Sequence, residues 1–194
     1  MKNNQINKYL LIISLMLFLV QNMPKYIVPV SGGKGVIDEN SLEIENLTLR
    51  LSENLELSIT SQPRNNIGYI SDEMGVVTSF SQAARLGSIG LIAHNYLSGE
   101  KFFDLEPGDI ITLSDKDSES LQQYRVVEMQ QFQALQPTSI HSKFRNLDTD
   151  EITSAHDLAR SVYEREGHLI LQTCIENEGN LEWGRLFVIT EPMI

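Results

Sequence analysis

The chain contains a single cysteine, Cys174, near the end of the apolar run His168-Leu-Ile-Leu-Gln-Thr-Cys174-Ile. One thiol excludes an internal disulfide framework and any cysteine-rich zinc site. Two readings are open. A free cysteine is most often a small buried hydrophobe, but polar Gln172 and Thr173 break the apolar run where a strand would leave the core, and a nucleophile could stand there. A thiol with a pKa of about 8.5 is mostly protonated at neutral pH, so nucleophilic chemistry requires a base or a cation beside it.

Four histidines could supply the base. His94, in Leu91-Ile-Ala-His-Asn-Tyr96, follows an apolar strand and is flanked by Gly90 and Gly99, whereas His141, His156 and His168 lie in polar or helical contexts and read as solvated. A satisfied structural histidine is the bland reading of His94. Arg185, in Glu182-Trp-Gly-Arg-Leu-Phe-Val-Ile-Thr190, is the candidate cation. It reads either as a surface charge opening a strand or as a fixed guanidinium able to stabilise an oxyanion. No His-x-x-His or His-Glu-x-x-His pattern occurs, which argues against a metal enzyme.

The elements that must position these residues are mostly strands. Apolar residues alternate with polar ones through Leu42 and Ile44, then Leu47, Leu49 and Leu51, then Leu55, Leu57 and Ile59, the period of half-buried strands. Further strands are expected at Ile89 to Ala93, Asp109 to Leu113, Tyr124 to Phe132, Leu169 to Ile175 and Leu186 to Thr190, with turns at Pro107-Gly108 and across Ser114 to Ser120. Short helices are expected at Ser79 to Leu86, stopped by Gly87, and at Ser154 to Arg165, where Ser154 and Asp157 resemble a capping box. Many strands and two small helices indicate an all-β barrel or sandwich.

With 41% apolar and 21% charged residues over 194 positions, the chain has the composition of one globular domain. Its net charge of -11 repels phosphates and argues against a nucleic-acid partner. Lys2 and Lys8 precede or open the apolar run Tyr9 to Val20, which is shorter than the about 20 residues of a membrane span. Residues 1–32 therefore read as an export signal, either cleaved or retained as a membrane anchor, and residues 33–194 as the functional domain. The expected location is extracytoplasmic, anchored or secreted.

Taken in order, His94, Cys174 and Arg185 resemble the catalytic residues of the sortase family, the cysteine transpeptidases that attach exported proteins to bacterial surfaces. Ile170-Leu-Gln-Thr-Cys174 matches the family's Thr-Leu-x-Thr-Cys motif at every fixed position but the first. The resemblance runs from about Gly87 to Pro192 and includes the long insertion before the cysteine strand. It implies a closed eight-stranded barrel with one or two short helices. It also implies attack by Cys174 on a threonine carbonyl in a C-terminal sorting signal of the Leu-Pro-x-Thr-Gly type, with His94 as acid and base and Arg185 holding the oxyanion or the substrate backbone. The partners implied are exported proteins bearing that signal and an amine acceptor on the cell wall or surface, with the membrane contacted through the N-terminal segment if it is uncleaved. The pocket wall would come from Gln136 to Gly167 and from Glu176 to Gly184, with Trp183 packed on it. No cofactor is implied. Some sortases bind calcium near the position of Asp148, Asp150 and Glu151, but a known calcium loop pattern is missing and a solvated acidic turn accounts for these residues better. The alternative from another class is an exported non-catalytic β-barrel binding module with a buried structural cysteine.

Overall fold

The computed structural model describes residues 47–115, 121–139 and 141–193. The export segment at 1–32, the expected strand residues Leu42 and Ile44, and most of the expected Ser114 to Ser120 turn lie outside the described residues.

Ten strands follow one another as β1 (Leu47–Ser52), β2 (Leu55–Ser61), β3 (Val76–Ser79), β4 (Ile89–Ile92), β5 (Ile110–Asp115), β6 (Leu121–Ala134), β7 (Lys143–Asn146), β8 (Ile152–Ser154), β9 (Leu169–Asn177) and β10 (Asn180–Pro192). Helix α1 (Ser81–Arg85) lies between β3 and β4, a 3₁₀ helix (Ser98–Asp104) follows β4, and α2 (Ala155–Tyr163) lies between β8 and β9. The strands pair in the order β10-β9-β4-β3-β2-β1-β5-β6, and β6 returns to pair with β10. Eight strands thus close a barrel, leaving no free edge among them. β7 and β8 extend the sheet beyond β6 as two further strands.

The period-two patterns place one side of each strand inside. Leu49, Leu57, Val77, Leu91, Ile111, Val126, Leu169, Leu171, Leu186 and Val188 belong to the interior cluster. The opposite faces of β6, β9 and β10 are also buried, because the chain between β6 and β9 folds back over them. Phe132, Ile170, Phe187 and Ile189 meet Phe144 of β7 and Leu158, Val162 and Tyr163 of α2 in a second cluster. Burial on both faces explains why the sequence of β9 begins as a continuous apolar run instead of alternating.

The expected helix at Ser154 to Arg165 forms as the shorter α2, and its cap is present: the Ser154 hydroxyl accepts from the Asp157 amide at 3.1 Å. The same hydroxyl donates to the Asp157 carboxylate at 2.7 Å, a variant of the expected capping box. Helix α1 is also shorter than expected, since Ser79 pairs with Leu91 as the end of β3. The short β3, β7 and β8 and the 3₁₀ helix were not anticipated. Each has four residues or fewer, or a period that apolar spacing does not mark. Among the described residues, no helix is long and apolar enough to cross a membrane.

Candidate active site

Three elements converge on Cys174. β9 carries it on the face of Ile170 and Gln172, the outer face of the barrel, while Leu169, Leu171 and Thr173 alternate inward. β10 runs antiparallel beside β9 and places Arg185 directly opposite Cys174. Paired residues in an antiparallel ladder project from the same face with Cβ atoms about 5 Å apart. β4 runs parallel to β9 on its other side, with Ile92 beside Gln172. His94 follows two residues later, its parity opposite to the inward Leu91 and Ala93.

The junction of β4 and β9 is fixed by two hydrogen bonds. The Ala93 amide donates to the Gln172 carbonyl at 3.2 Å, and the buried Thr173 hydroxyl donates to the Ala93 carbonyl at 2.9 Å. This gives the threonine before the cysteine a positioning task that valine could not perform. Gly99 packs into the same corner: a Cβ there would lie 2.3 Å from Thr173 Oγ1 and 2.8 Å from the carbonyl oxygens of Ala93 and His94. The amides of Leu97 and Gly99 both donate to the His94 carbonyl at 3.0 Å, so the backbone of the histidine is held on both sides.

Arg185 lies in mid-strand, not at a strand start, because β10 begins at Asn180. The expected loop from Glu176 to Gly184 is correspondingly a hairpin whose turn residues Glu178 and Gly179 both have positive φ, 51° and 81°. Between the pairs Asn180↔Asn177 and Gly184↔Ile175 the register slips, so Leu181, Glu182 and Trp183 stand against Glu176 alone. A bulge of this kind leaves carbonyls without ladder partners. Arg185 reaches back to this stretch: Nη1 donates to the Glu182 carbonyl within the bulge at 3.1 Å and to the Gly184 carbonyl at its edge at 2.8 Å. The Asn95 side chain donates to the Leu181 carbonyl at 3.1 Å, joining the segment of His94 to the segment of Arg185. Arg185 is only 8% exposed, which overturns the surface-charge reading. Trp183 is half-buried on the bulge.

The electrostatics follow from burial. Cys174 is half-buried, and desolvation pushes its thiol above the ordinary range, with Arg185 pulling it down and Glu182 pushing it up. Burial lowers the pKa of His94, against the raising effects of the Asp72 carboxylate and a hydrogen bond with the Ile70 backbone. Nε2 of His94 lies 3.3 Å from Asp72 Oδ1, and its ring stacks on Tyr96 with centroids 5.1 Å apart. The fully buried Tyr163 donates its hydroxyl to Gln172 Oε1 and is held in its neutral form by desolvation, opposed by Arg185.

No role was legible in the sequence for Asp72, Asn95, Tyr96 or Gly99. Three of these sit within five residues of His94 and could have been sought there. Asp72 comes from a segment between β2 and β3 whose sequence has no periodicity. Of the other histidines, His141 lies on the exposed turn before β7, His156 pairs with Asp157 on α2 at 3.3 Å, and His168 precedes β9, its Nδ1 3.1 Å from the Glu166 carbonyl oxygen. Asp148, Asp150 and Glu151 are exposed in the β7–β8 turn, where Asn146 Oδ1 accepts the amides of Asp148 and Thr149. Among the described residues, no group of three or more His, Cys, Asp or Glu is arranged to hold a metal ion.

No family model and no curated protein sequence matches this chain. Among solved structures it is similar to sortase C1 of GBS Pilus Island 1, at 15% identity and a TM-score of 0.51 over 100% of this chain and 92% of that one. Sortase C-1 from Actinomyces oris is similar at 14% identity and a TM-score of 0.51, over 80% of this chain and 78% of that one. For sortase A from Corynebacterium diphtheriae the values are 12% and 0.49, and the match covers 76% of this chain but 60% of that one. At these identities the likeness speaks for the fold, and the first two alignments carry it. The chain has the sortase fold: a closed eight-stranded barrel with two further strands and few helices.

Proposed function

We propose that the protein is a sortase-like cysteine transpeptidase in which Cys174 is the nucleophile, His94 the general acid and base, and Arg185 the oxyanion or substrate-backbone ligand. The observation that carries this reading is the Cys174–Arg185 rung of the β9–β10 ladder, with His94 at the end of the strand on the other flank of β9. A thiol and a cation paired on one rung, with an imidazole just past the end of the flanking strand, supply the residue types that acyl transfer requires.

In the proposed reaction Cys174 Sγ, as thiolate, attacks the threonine carbonyl of a Leu-Pro-x-Thr-Gly type signal. The tetrahedral oxyanion is met by Arg185. The carbon–nitrogen bond to glycine breaks, and His94 as imidazolium protonates the departing amine. An incoming amine then attacks the thioester, gives its proton to His94 and releases Cys174. Both residues are biased toward their neutral forms, so the thiolate–imidazolium pair is the minor, reactive state of the resting protein. The substrates are exported proteins carrying the signal, the acceptor is an amine on the cell wall or surface, and the site of action is extracytoplasmic. Residues 1–32 serve as export signal or membrane anchor.

The rival reading, a binding module with a structural cysteine, draws support from the burial that raises the Cys174 thiol. Mass spectrometry separates the two. Incubation with sorting-signal peptides should give an acyl adduct on Cys174, lost in Cys174→Ala with the fold intact. Absence of adduct across a peptide library, or cleavage retained in Cys174→Ala, would overturn the transpeptidase reading.

A further inference from the structure

The segment between β2 and β3 is built onto the barrel by its own polar contacts. The Gln62 side chain donates to the carbonyls of Ile67 at 2.9 Å and Tyr69 at 3.1 Å, tying the segment's first half to the end of β2. Ser71, itself buried, donates its amide to the buried Thr78 hydroxyl on β3 at 2.8 Å, and its own hydroxyl accepts from the Glu73 amide at 3.2 Å. The residues on either side of that pinned serine are the ones that engage His94: Ile70 through its backbone and Asp72 through its carboxylate. Tyr96 stacks against the ring with an interplanar angle of 18°. The imidazole is therefore held by three groups from two segments, although Asp72 itself is 86% exposed.

We propose that Asp72 is the positioning residue of His94: together with Ile70 it fixes the imidazole from the β2–β3 segment and balances the charge of the imidazolium that delivers a proton to the leaving amine. This rests on the transpeptidase reading given above. The ionisable groups against the ring are Asp72 on the β2–β3 segment and Tyr96 on the loop after β4, while Cys174 on β9 is influenced by Arg185 and Glu182 on β10. Asp72 supplies the charge that acts on His94. Asp72 touches neither the thiol nor the carbonyl that the thiol attacks, so its influence passes through His94.

The mechanism makes the test specific. With a histidine titrating below the thiol, the fraction of thiolate–imidazolium pair between the two pKa values is set by their separation. Removing the carboxylate charge lowers the His94 pKa, widens the separation and shrinks that fraction. The plateau of the pH–rate profile then falls, its acid limb moves to lower pH, and parent and variant converge below that limb. A loss of fold or a misplaced substrate would lower the rate at every pH alike.

The experiment is a pair of measurements on the parent protein and on Asp72→Asn and Asp72→Glu. His94 is titrated by NMR without substrate, its ring signal assigned by comparison with His94→Gln, and peptide cleavage is followed across pH. Asp72→Asn should move the His94 titration to lower pH and lower the plateau rate about two- to five-fold, the range of an exposed ion pair. Asp72→Glu should restore most of both. An unmoved titration in Asp72→Asn, or a rate lowered equally at every pH, would overturn the positioning role. Should the parent itself cleave no peptide, the transpeptidase reading fails, and the NMR titration alone still decides whether Asp72 governs the charge of His94.

Discussion

The β9–β10 ladder has two ends built from the same backbone geometry and opposite chemistry. At one end Ile170 stands opposite Ile189, both fully buried under α2. Four rungs away Cys174 stands opposite Arg185 on the same face. Register makes both pairs, but only the first is satisfied by hydrocarbon. The second buries a guanidinium whose donors must be met, and the carbonyls of Glu182 in the β10 bulge and of Gly184 at its edge accept from it. The irregularity that breaks the ladder is thus what lets a charge sit beside the thiol.

If the two ends divide stability from chemistry, they should separate under mutation. Ile170→Ala removes a buried side chain from the apolar end and should cost about 2–5 kcal/mol of unfolding free energy in a denaturant titration. Turnover per folded molecule should stay near the parent's. A large loss of turnover in fully folded Ile170→Ala would show that the ends are not separable.

Arg185→Lys is the complementary change. It keeps the charge and loses the planar fork of donors, so turnover should fall about 10²-fold. Lysine can still donate to one bulge carbonyl, and the melting temperature should change far less than in Ile170→Ala. Near-parental turnover would remove Arg185 from the oxyanion and leave Cys174 and His94 as a dyad requiring another donor.

Gly99→Ala probes the corner that sets His94 against β9. The new methyl would lie on Thr173 Oγ1 and two carbonyl oxygens, a crowding that should cost about 1–3 kcal/mol. Because the displaced groups lead directly into His94 and Cys174, turnover should drop as well, unlike in Ile170→Ala. Thermal melts and turnover on the same preparation distinguish the two.

The thiol gives a pH test of the polar end. Burial holds its folded pKa above the unfolded value, so the folded chain binds this proton more tightly. That contribution to stability is fully present below the unfolded thiol pKa and is lost as pH rises through the folded one. Alkylation of native Cys174 by iodoacetamide should accordingly accelerate with pH to a midpoint above that of the unfolded chain. Arg185→Gln should move the midpoint higher still, since the guanidinium is the group that lowers it. A midpoint below the unfolded value would mean that the cation outweighs burial.

The apolar end was the more legible in the sequence. Period-two alternation places β1 and β2, and continuous apolar runs place β4, β9 and β10, because burial leaves a mark at every position. The polar end was legible only where residue chemistry is rare: one cysteine, one histidine after an apolar strand, one arginine before another. What it lacked was the bulge, since Leu181-Glu182-Trp183 looks like a loop until the partner strand is known, and this is why Arg185 was expected at a strand start. Asp72 left no mark either. Its partner lies in another segment, and a lone acid in a nonperiodic stretch is indistinguishable by sequence from a solvated one.

Tyr163 stands where the two ends meet, and it should give the smallest effect. Its ring packs in the apolar cluster, 6.2 Å from Phe187 and 5.4 Å from Phe80 by centroid, while its hydroxyl donates to Gln172, two residues before Cys174. Tyr163→Phe keeps the ring and leaves the Gln172 side-chain oxygen without that donor, a loss of about 1 kcal/mol, or more if the oxygen finds no water. Cys174 and Arg185 are placed by the ladder, not by Gln172, so turnover should fall by less than about three-fold, the equivalent of half that energy or slightly more. If turnover fell instead by as much as in Arg185→Lys while stability changed little, the Tyr163–Gln172 contact would belong to the chemistry, and the division between the two ends would have to be drawn at α2.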